Sequence, residues 1–522
     1  MNTPFRPQTS FPVLRSCLTA NLLAVSALLS ACGGGGGDPG IGSAATPVAS
    51  TPTPTADRVP TETYADLHNL CAKPRSGRAP DGTAYTDRQG TLLDEMKFLR
   101  RWTDDEYLWA NEIPSTIRMA DYTSAIDYFN VLKTPALTAA GKPKDRFHFT
   151  YPTVEWDALN NEGKETGYGI VWSTGSATVP RSWRVGTVEP GSPAANAGLM
   201  RGDTLLTVDT VDFVNATGTA ALDQINAGLY PEGSQSHHFQ VRRNGATLDV
   251  QMTPTEVAAD PVKNAKVIPT ADGKVGYLTF YDHNAVSEKR LIDSFTMFKN
   301  EGVKDLVLDL RYNGGGLLGI AAELGSMIAG PRVAGQTFER LVTNGKSAAE
   351  PPVAFPTTAY GYPTTTPVQQ GQALPTLGLT RVTILTTDRT CSASESVING
   401  LRGMDVQVNV IGGQTCGKPY GFYAAENCGT TYFSINFMGV NAKGFGDYPD
   451  GLAPTCAVND DLGHALGDPA EGLLAAALAY RSTNACPAAT LTGVPARAMK
   501  QVAPGSAQFA IYPKSRPGTV VR

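Results

Sequence analysis

The chain has 522 residues, room for about three domains and a sizeable hydrophobic core. Only 17% of its residues are charged and the formal net charge is -5, so it offers no basic surface for nucleic acid, and that class of function is set aside. With 54 glycines and 37 prolines, turns and linkers are frequent.

Residues 1–32 carry Arg6 and Arg15 ahead of an apolar stretch from Leu18 to Leu29. That stretch is too short to span a bilayer as a helix and fits a secretory signal. Its ending, Leu29-Ser30-Ala31-Cys32, resembles a bacterial lipobox. The resemblance implies cleavage before Cys32 and a lipid on its sulfur. With Gly33 next rather than an acidic residue, it points to an envelope protein anchored at the outer membrane, facing the periplasm or the cell surface. The alternative is an ordinary signal peptide cut after Ala31. Residues 33–60 open with five glycines and continue in Ala, Thr, Pro and Ser. Such a composition cannot bury enough apolar surface to fold and reads as a tether.

From 61 to 155 the pattern is helical. Leu92, Leu93, Met96 and Leu99 recur at turn spacing, Trp102, Tyr107, Leu108 and Trp109 add bulk, and a second helix is expected over Tyr122–Leu132. Trp102 and Trp109 are expected to be packing residues. Between 160 and 257 the chain turns to short strands. Gly167-Tyr168-Gly169-Ile170, then Gly191-Ser192-Pro193-Ala194, Ala197-Gly198-Leu199 and Arg201-Gly202-Asp203 resemble a PDZ domain in order and spacing. The loop of Gly167, Tyr168, Gly169 and Ile170 could then offer backbone N–H groups to a chain-terminal carboxylate beside a strand edge. A spacer that only packs on its neighbour is the alternative.

Residues 262–485 alternate strand and helix. Lys274–Phe280 reads as a strand, Ser287–Lys299 as an amphipathic helix, and Asp305–Leu310 as a buried parallel strand. Asp309-Leu310-Arg311-Tyr312-Asn313-Gly314-Gly315-Gly316 follows, its glycines letting backbone come close to a substrate. Further on, the run Val382 to Leu385 reads as a strand and Thr390 to Ser394 as a turn. A helix with the face Val397, Ile398 and Leu401 is closed by Gly403 at positive φ, and Val406 to Ile411 is a second strand leading to Gly417-Lys418. Thr431–Gly439 alternates as a strand and Asp468–Ala479 as a final helix, while the tail 486–522 shows no pattern.

A serine on a sharp strand-to-helix turn is exposed to backbone N–H groups and a positive helix end, the geometry acyl transfer needs. The G-x-S-x-G glycines of the nucleophile elbow are missing. Ser392-Ala393-Ser394-Glu395 followed by Gly417-Lys418 resembles the Ser/Lys signature of the C-terminal-processing (tail-specific) serine peptidases. The resemblance implies Ser392 as nucleophile, Lys418 as base, and an oxyanion hole from Gly315 of the D-L-R-x-N-x-G-G loop and from Ala393. Lys144-Asp145-Arg146-Phe147 and Asp447 to Pro454 resemble further segments of that family. It also implies protein or peptide substrates, no cofactor and no metal. The implied fold is an α+β multidomain protein: an N-terminal helical segment, a PDZ-like β-rich domain, and an α/β catalytic core of ClpP/crotonase-like type with a mixed sheet.

Ser392 and Lys418 are 26 positions apart, about one more than the family pattern, which a loop insertion between helix and strand would absorb. A free lysine titrates near 10.4, so a working base requires burial to lower its pKa by roughly 3. The absence of Asp and Glu between Val406 and Tyr423 favours such a shift. Otherwise Lys418 is a surface lysine. The glutamine that commonly stands four residues after the base is Phe422 here, leaving Tyr420, Gln414 and Ser394 as candidate partners, with His283 the histidine to watch. Phe422 also keeps open an inactive relative that serves as a peptide-binding scaffold. Eight cysteines include Cys17 and Cys32. The other six allow 15 pairings, and short loops suggest Cys416 with Cys428 and Cys456 with Cys486.

Overall fold

The computed structural model describes residues 57–487 apart from 232, 347 and 348. The signal segment, Cys32, most of the tether and the tail from 488 lie outside the described residues. Among those described, no helix is long and apolar enough to cross a membrane.

The site is carried by a six-stranded mixed sheet in the order Val262–Thr270, Gly273–Phe280, Asp305–Asp309, Arg381–Thr386, Gln407–Gly412, Cys456–Ala457. The first pair is antiparallel and the rest are parallel. Asp305–Asp309 is buried along its whole length because both faces are covered. Leu306 and Leu308 point to one core, with the helices Ser287–Asn300, Leu318–Ala329 and Ala393–Gly403, while Val307 points to the other, with Leu473 and Leu474 of the helix Gly472–Thr483. Each such buried Leu contributes about 1.5–3 kcal/mol, which holds the strands leading to Ser392 and Lys418 firmly in place.

Residues 164–258 form a β-rich unit with its own core around Trp183, Phe213, Phe239 and Ile225. Its main sheet runs Ala246–Met252, His237–Arg243, Thr204–Val208, Ser182–Val188, Ile170–Ser176, with Ile170–Ser176 at the edge. The chain enters by Lys164–Gly167 and leaves by Thr255–Ala258, which pair antiparallel. In the N-terminal part, the helices Leu92–Glu106 and Ala125–Val131 start at the caps Thr91 and Ser124. Trp102 is buried against Phe129 and Trp109 packs on Tyr420, as their reading as packing residues anticipates. This part is not purely helical, since Phe149–Pro152 pairs with Thr430–Phe433.

Several local expectations are corrected. The alternation over Thr431–Gly439 belongs to two strands in different sheets: Thr430–Phe433 pairs with Phe149–Pro152, and Phe437–Val440 pairs with Thr337–Val342. Period-two patterning cannot reveal the break at Ser434–Asn436, because both strands are half of one alternating run. Gly403 is the last residue of its helix, and the left-handed residue is Asp405, at φ 58°. A Cβ on Gly403 would stand 3.0 Å from that of Asn441, so close packing explains the glycine. The final helix begins at Gly472, where the Glu471 carboxylate accepts from the Leu474 N–H and ends the turn before it. Only residues 404–406 separate the helix Ala393–Gly403 from the strand Gln407–Gly412, so no long insertion lies there; the longer connector, 413–419, follows the strand.

Cys456 pairs with Cys486, but Cys416 pairs with Cys391 and Cys428 with Cys71, 357 positions away. Cys416 and Cys428 lie in different parts of the fold, because the chain between them enters the sheet with Phe437–Val440 at Tyr420–Gly421. Sequence separation gave no clue to this.

Candidate active site

Ser392 stands where the strand Arg381–Thr386 turns into the helix Ala393–Gly403, with φ 54° and ψ -118°. This conformation is strained for a residue with a Cβ, and surrounding bonds impose it. Thr390 Oγ1 donates to Leu310 O at 2.9 Å, Cys391 N–H to Asn313 O at 3.1 Å, and Ser394 Oγ to Asn313 O at 3.2 Å. An elbow thus forms without its usual glycines. Ser392 is 2% exposed and its buried Oγ has no hydrogen-bond partner in the protein.

Glu395 joins the two halves of the site. Its buried carboxylate accepts from Ser392 N–H at 3.0 Å, Thr415 Oγ1 at 2.5 Å, Gly417 N–H at 2.9 Å and Lys418 N–H at 2.8 Å. Burial raises its pKa and these donors lower it. Sequence reading assigned this residue no role, although Ser392 and Glu395 make the S-x-x-E spacing of a capping box, which was the available signal. The Cys391–Cys416 disulfide ties the same two turns. Glu395→Ala would leave three buried N–H groups without an acceptor. The expected result is a loss of about a hundredfold in activity, since small misplacements of reacting groups cost that much. Assays alongside thermal melts check it, and an unchanged rate in a folded variant would refute it.

Lys418 is 4% exposed. Its turn is shaped by Gly417, at φ 85° and so close to Pro449 that a Cβ would come within 2.4 Å of the carbonyl oxygen. Arg146 adds a clamp, donating to Cys416 O at 2.7 Å and Pro449 O at 3.1 Å. Burial lowers the Lys418 amine to about 7, against the opposing pull of Asp145 and Glu395 and with help from Arg146. Acidic residues missing locally in sequence are therefore present in space, and burial outweighs them. The amine lies 3.9 Å from the Phe422 ring centroid and 5.1 Å from that of Phe147. Of the candidate partners, Ser394 bonds Asn313 O, Gln414 donates to Asp450 O at 2.9 Å, and Tyr420 stacks edge-on with Trp109.

Gly315, at φ 105°, lies against Ser392: a Cβ there would be 2.8 Å from that of Ser392 and 2.9 Å from Ala393 N. Its N–H, however, donates to Asn313 Oδ1 at 2.9 Å, so it is engaged within its own loop. Asn313 Nδ2 donates to Phe280 O at 3.0 Å, which fixes the amide and makes His283 Nδ1 the donor to Asn313 Oδ1 at 3.1 Å. Burial lowers His283 to about 3, so it stays neutral and supports the glycine loop from beneath. Among the described residues no group of three His, Cys, Asp or Glu could hold a metal ion.

The four loop residues of the β-rich unit lie where the strand Lys164–Gly167 passes into Ile170–Ser176. Gly167 ends the strand paired with Thr255–Ala258, Tyr168 is buried with its hydroxyl donating to Gly228 O at 3.0 Å, and Gly169 turns at φ 73°. Ile170 opens the edge strand. Gly169 and Ile170 border a small cavity with Glu165, Glu189 and Lys263, the last two ion-paired. Arg389, three residues before Ser392, donates to Trp172 O on the edge strand at 2.7 Å.

Residues 274–421 match the model of Peptidase family S41. A carboxyl-terminal-processing protease of Synechocystis sp. is 24% identical over 298 residues, covering 53% of this chain and 66% of that protein. The chloroplastic carboxyl-terminal-processing peptidase 2 of Arabidopsis thaliana is 31% identical over 163 residues, 30% of each chain. The alignments thus span between 30% and 66% of these relatives. A candidate S41 protease from Bacteroides fragilis superposes with a TM-score of 0.54 at 25% identity, over 73% of this chain and 96% of that one. The segment 274–421 is thus similar to peptidase family S41, and the chain to the carboxyl-terminal-processing proteases.

Proposed function

We propose that the protein is a serine endopeptidase of the C-terminal-processing type, with Ser392 as nucleophile and Lys418 as general base. The observation that carries this reading is that a strained, buried serine and a buried lysine, its amine lowered to about 7, have their backbone N–H groups bound to one carboxylate. The neutral amine accepts the Oγ proton as Oγ attacks the scissile carbonyl, and returns it to the leaving amine. A water then repeats the sequence on the acyl-enzyme. Ala393 N–H and the glycine loop receive the oxyanion, each donor being worth about 2.7–4 kcal/mol in the transition state. Gly315 N–H joins once substrate binding turns it away from Asn313.

The unit at 164–258 acts as a PDZ domain: a substrate end lies along the edge strand Ile170–Ser176 with its carboxylate at the Gly167–Ile170 backbone. Arg389 then connects the captured strand to the nucleophile turn. Cys32 anchors the mature protein by its lipid to the outer membrane of a bacterial envelope, with 33–60 as tether.

Cleavage of an unstructured peptide, with a free or an amidated C-terminus, tests both parts. Wild type should cleave the free-ended peptide faster and Ser392→Ala should cleave neither. Activity in Ser392→Ala would remove the nucleophile assignment, and equal rates on the two peptides would remove the capture role.

A further inference from the structure

On the Ser392–Lys418 reading, the orientation of the amine decides whether its lone pair can take the proton. We propose that the faces of Phe422 and Phe147 hold the Lys418 amine in its reactive orientation, making both of them positioning residues for proton transfer from Ser392. The proposal rests on that reading of the dyad.

Nζ lies 3.9 Å from one ring centroid and 5.1 Å from the other, both within the range at which a ring face attracts a cation. Ring faces carry negative charge, so the N–H bonds of the neutral amine turn toward them and its lone pair turns away. Once the proton has moved, the ammonium sits against the same faces. The attraction is strongest for the charged form, so it grows along the reaction and acts on the transition state rather than on the resting enzyme. Phe422 is held in place by its neighbours. Phe422 is fully buried, packed 5.3 Å from Phe433 and 5.5 Å from Phe149, in one cluster with Trp156. Phe147 is flanked by the Arg146 guanidinium at 4.7 Å and by Tyr420 at 6.5 Å.

The charged groups around the amine come from three other places in the chain. Asp145, close to His148 at 3.5 Å, favours the ammonium, as does Glu395, while Arg146 opposes it. Asp447 and Asp450 act on Tyr420, and Asp450 also on Arg146. The aromatic cluster behind Phe422 adds no charge.

The test is the pH dependence of kcat for peptide hydrolysis by full-length Phe422→Leu, Phe422→Tyr and Phe147→Leu, beside Ser392→Ala and Lys418→Ala. Losing the ring face weakens the ammonium, so in Phe422→Leu the acid limb should move down by about half a unit to one and a half units. The plateau kcat should fall by about tenfold, with KM within about twofold. Phe422→Tyr keeps the face and should restore both. Phe147→Leu, at a half-buried site, should show the same direction with a smaller shift and serves if Phe422→Leu does not fold. An acid limb that stays in place or moves up, or a tyrosine variant that behaves like leucine, overturns the proposal while the dyad stands. Activity in Ser392→Ala or Lys418→Ala overturns the dyad and this proposal with it.

Discussion

Replacing Lys418 by alanine should lower peptide hydrolysis by about two to four orders of magnitude, the usual contribution of a positioned general base. The substitution removes a buried amine rather than a surface charge, since the side chain is almost wholly covered. The wild-type pH profile carries the same information. Burial disfavours the ammonium and lowers Lys418 to about 7. Below that pH the amine is protonated and cannot accept the Ser392 proton; above it the base is free. Rates should therefore rise about tenfold per pH unit up to the neighbourhood of 7 and then level off. A flat profile between pH 5 and 8, or a folded Lys418→Ala variant with full activity, would refute the base assignment.

The largest expected effect on stability is at Arg311. Its guanidinium is fully buried and binds Asp309 at 2.8 Å, Glu471 at 2.7 Å and Asp460 at 2.8 Å. Arg311→Ala leaves Asp309 and Glu471 without their cation while Asp460 keeps Arg201, and removing one partner of such a buried set typically costs about 3–5 kcal/mol. Urea unfolding monitored by tryptophan fluorescence measures it, and a loss below 1 kcal/mol would show that the network is not structural. The same variant should loosen the β-rich unit. Arg201 donates to Gly186 O at 2.5 Å, to the Tyr312 hydroxyl at 2.7 Å and to Asp460 at 2.8 Å, and the Tyr312 hydroxyl also bonds Asp460. One ionic network thus seats that unit on the loop that leads into Gly315.

The sequence by itself determined the elements that surround Ser392 and Lys418. The strand before Ser392, the helix after it and the strand before Lys418 appear within a residue or two of their expected limits, because hydrophobic periodicity is a local property set by which face each element buries. The pair Cys456–Cys486, 30 positions apart, was suggested by the short loop it closes. Tertiary structure alone decided how the site is wired. Phe147 and Arg146 reach the Lys418 turn from about 270 positions away, Cys71 reaches Cys428 from 357, and Asn313 rather than a substrate takes the Gly315 N–H. Glu395 shows the division within one residue: its spacing from Ser392 is written in the chain, but its bonds to Gly417 and Lys418 arise only when two strands of the sheet lie side by side. Such contacts depend on which buried surfaces meet, and no local pattern encodes that meeting.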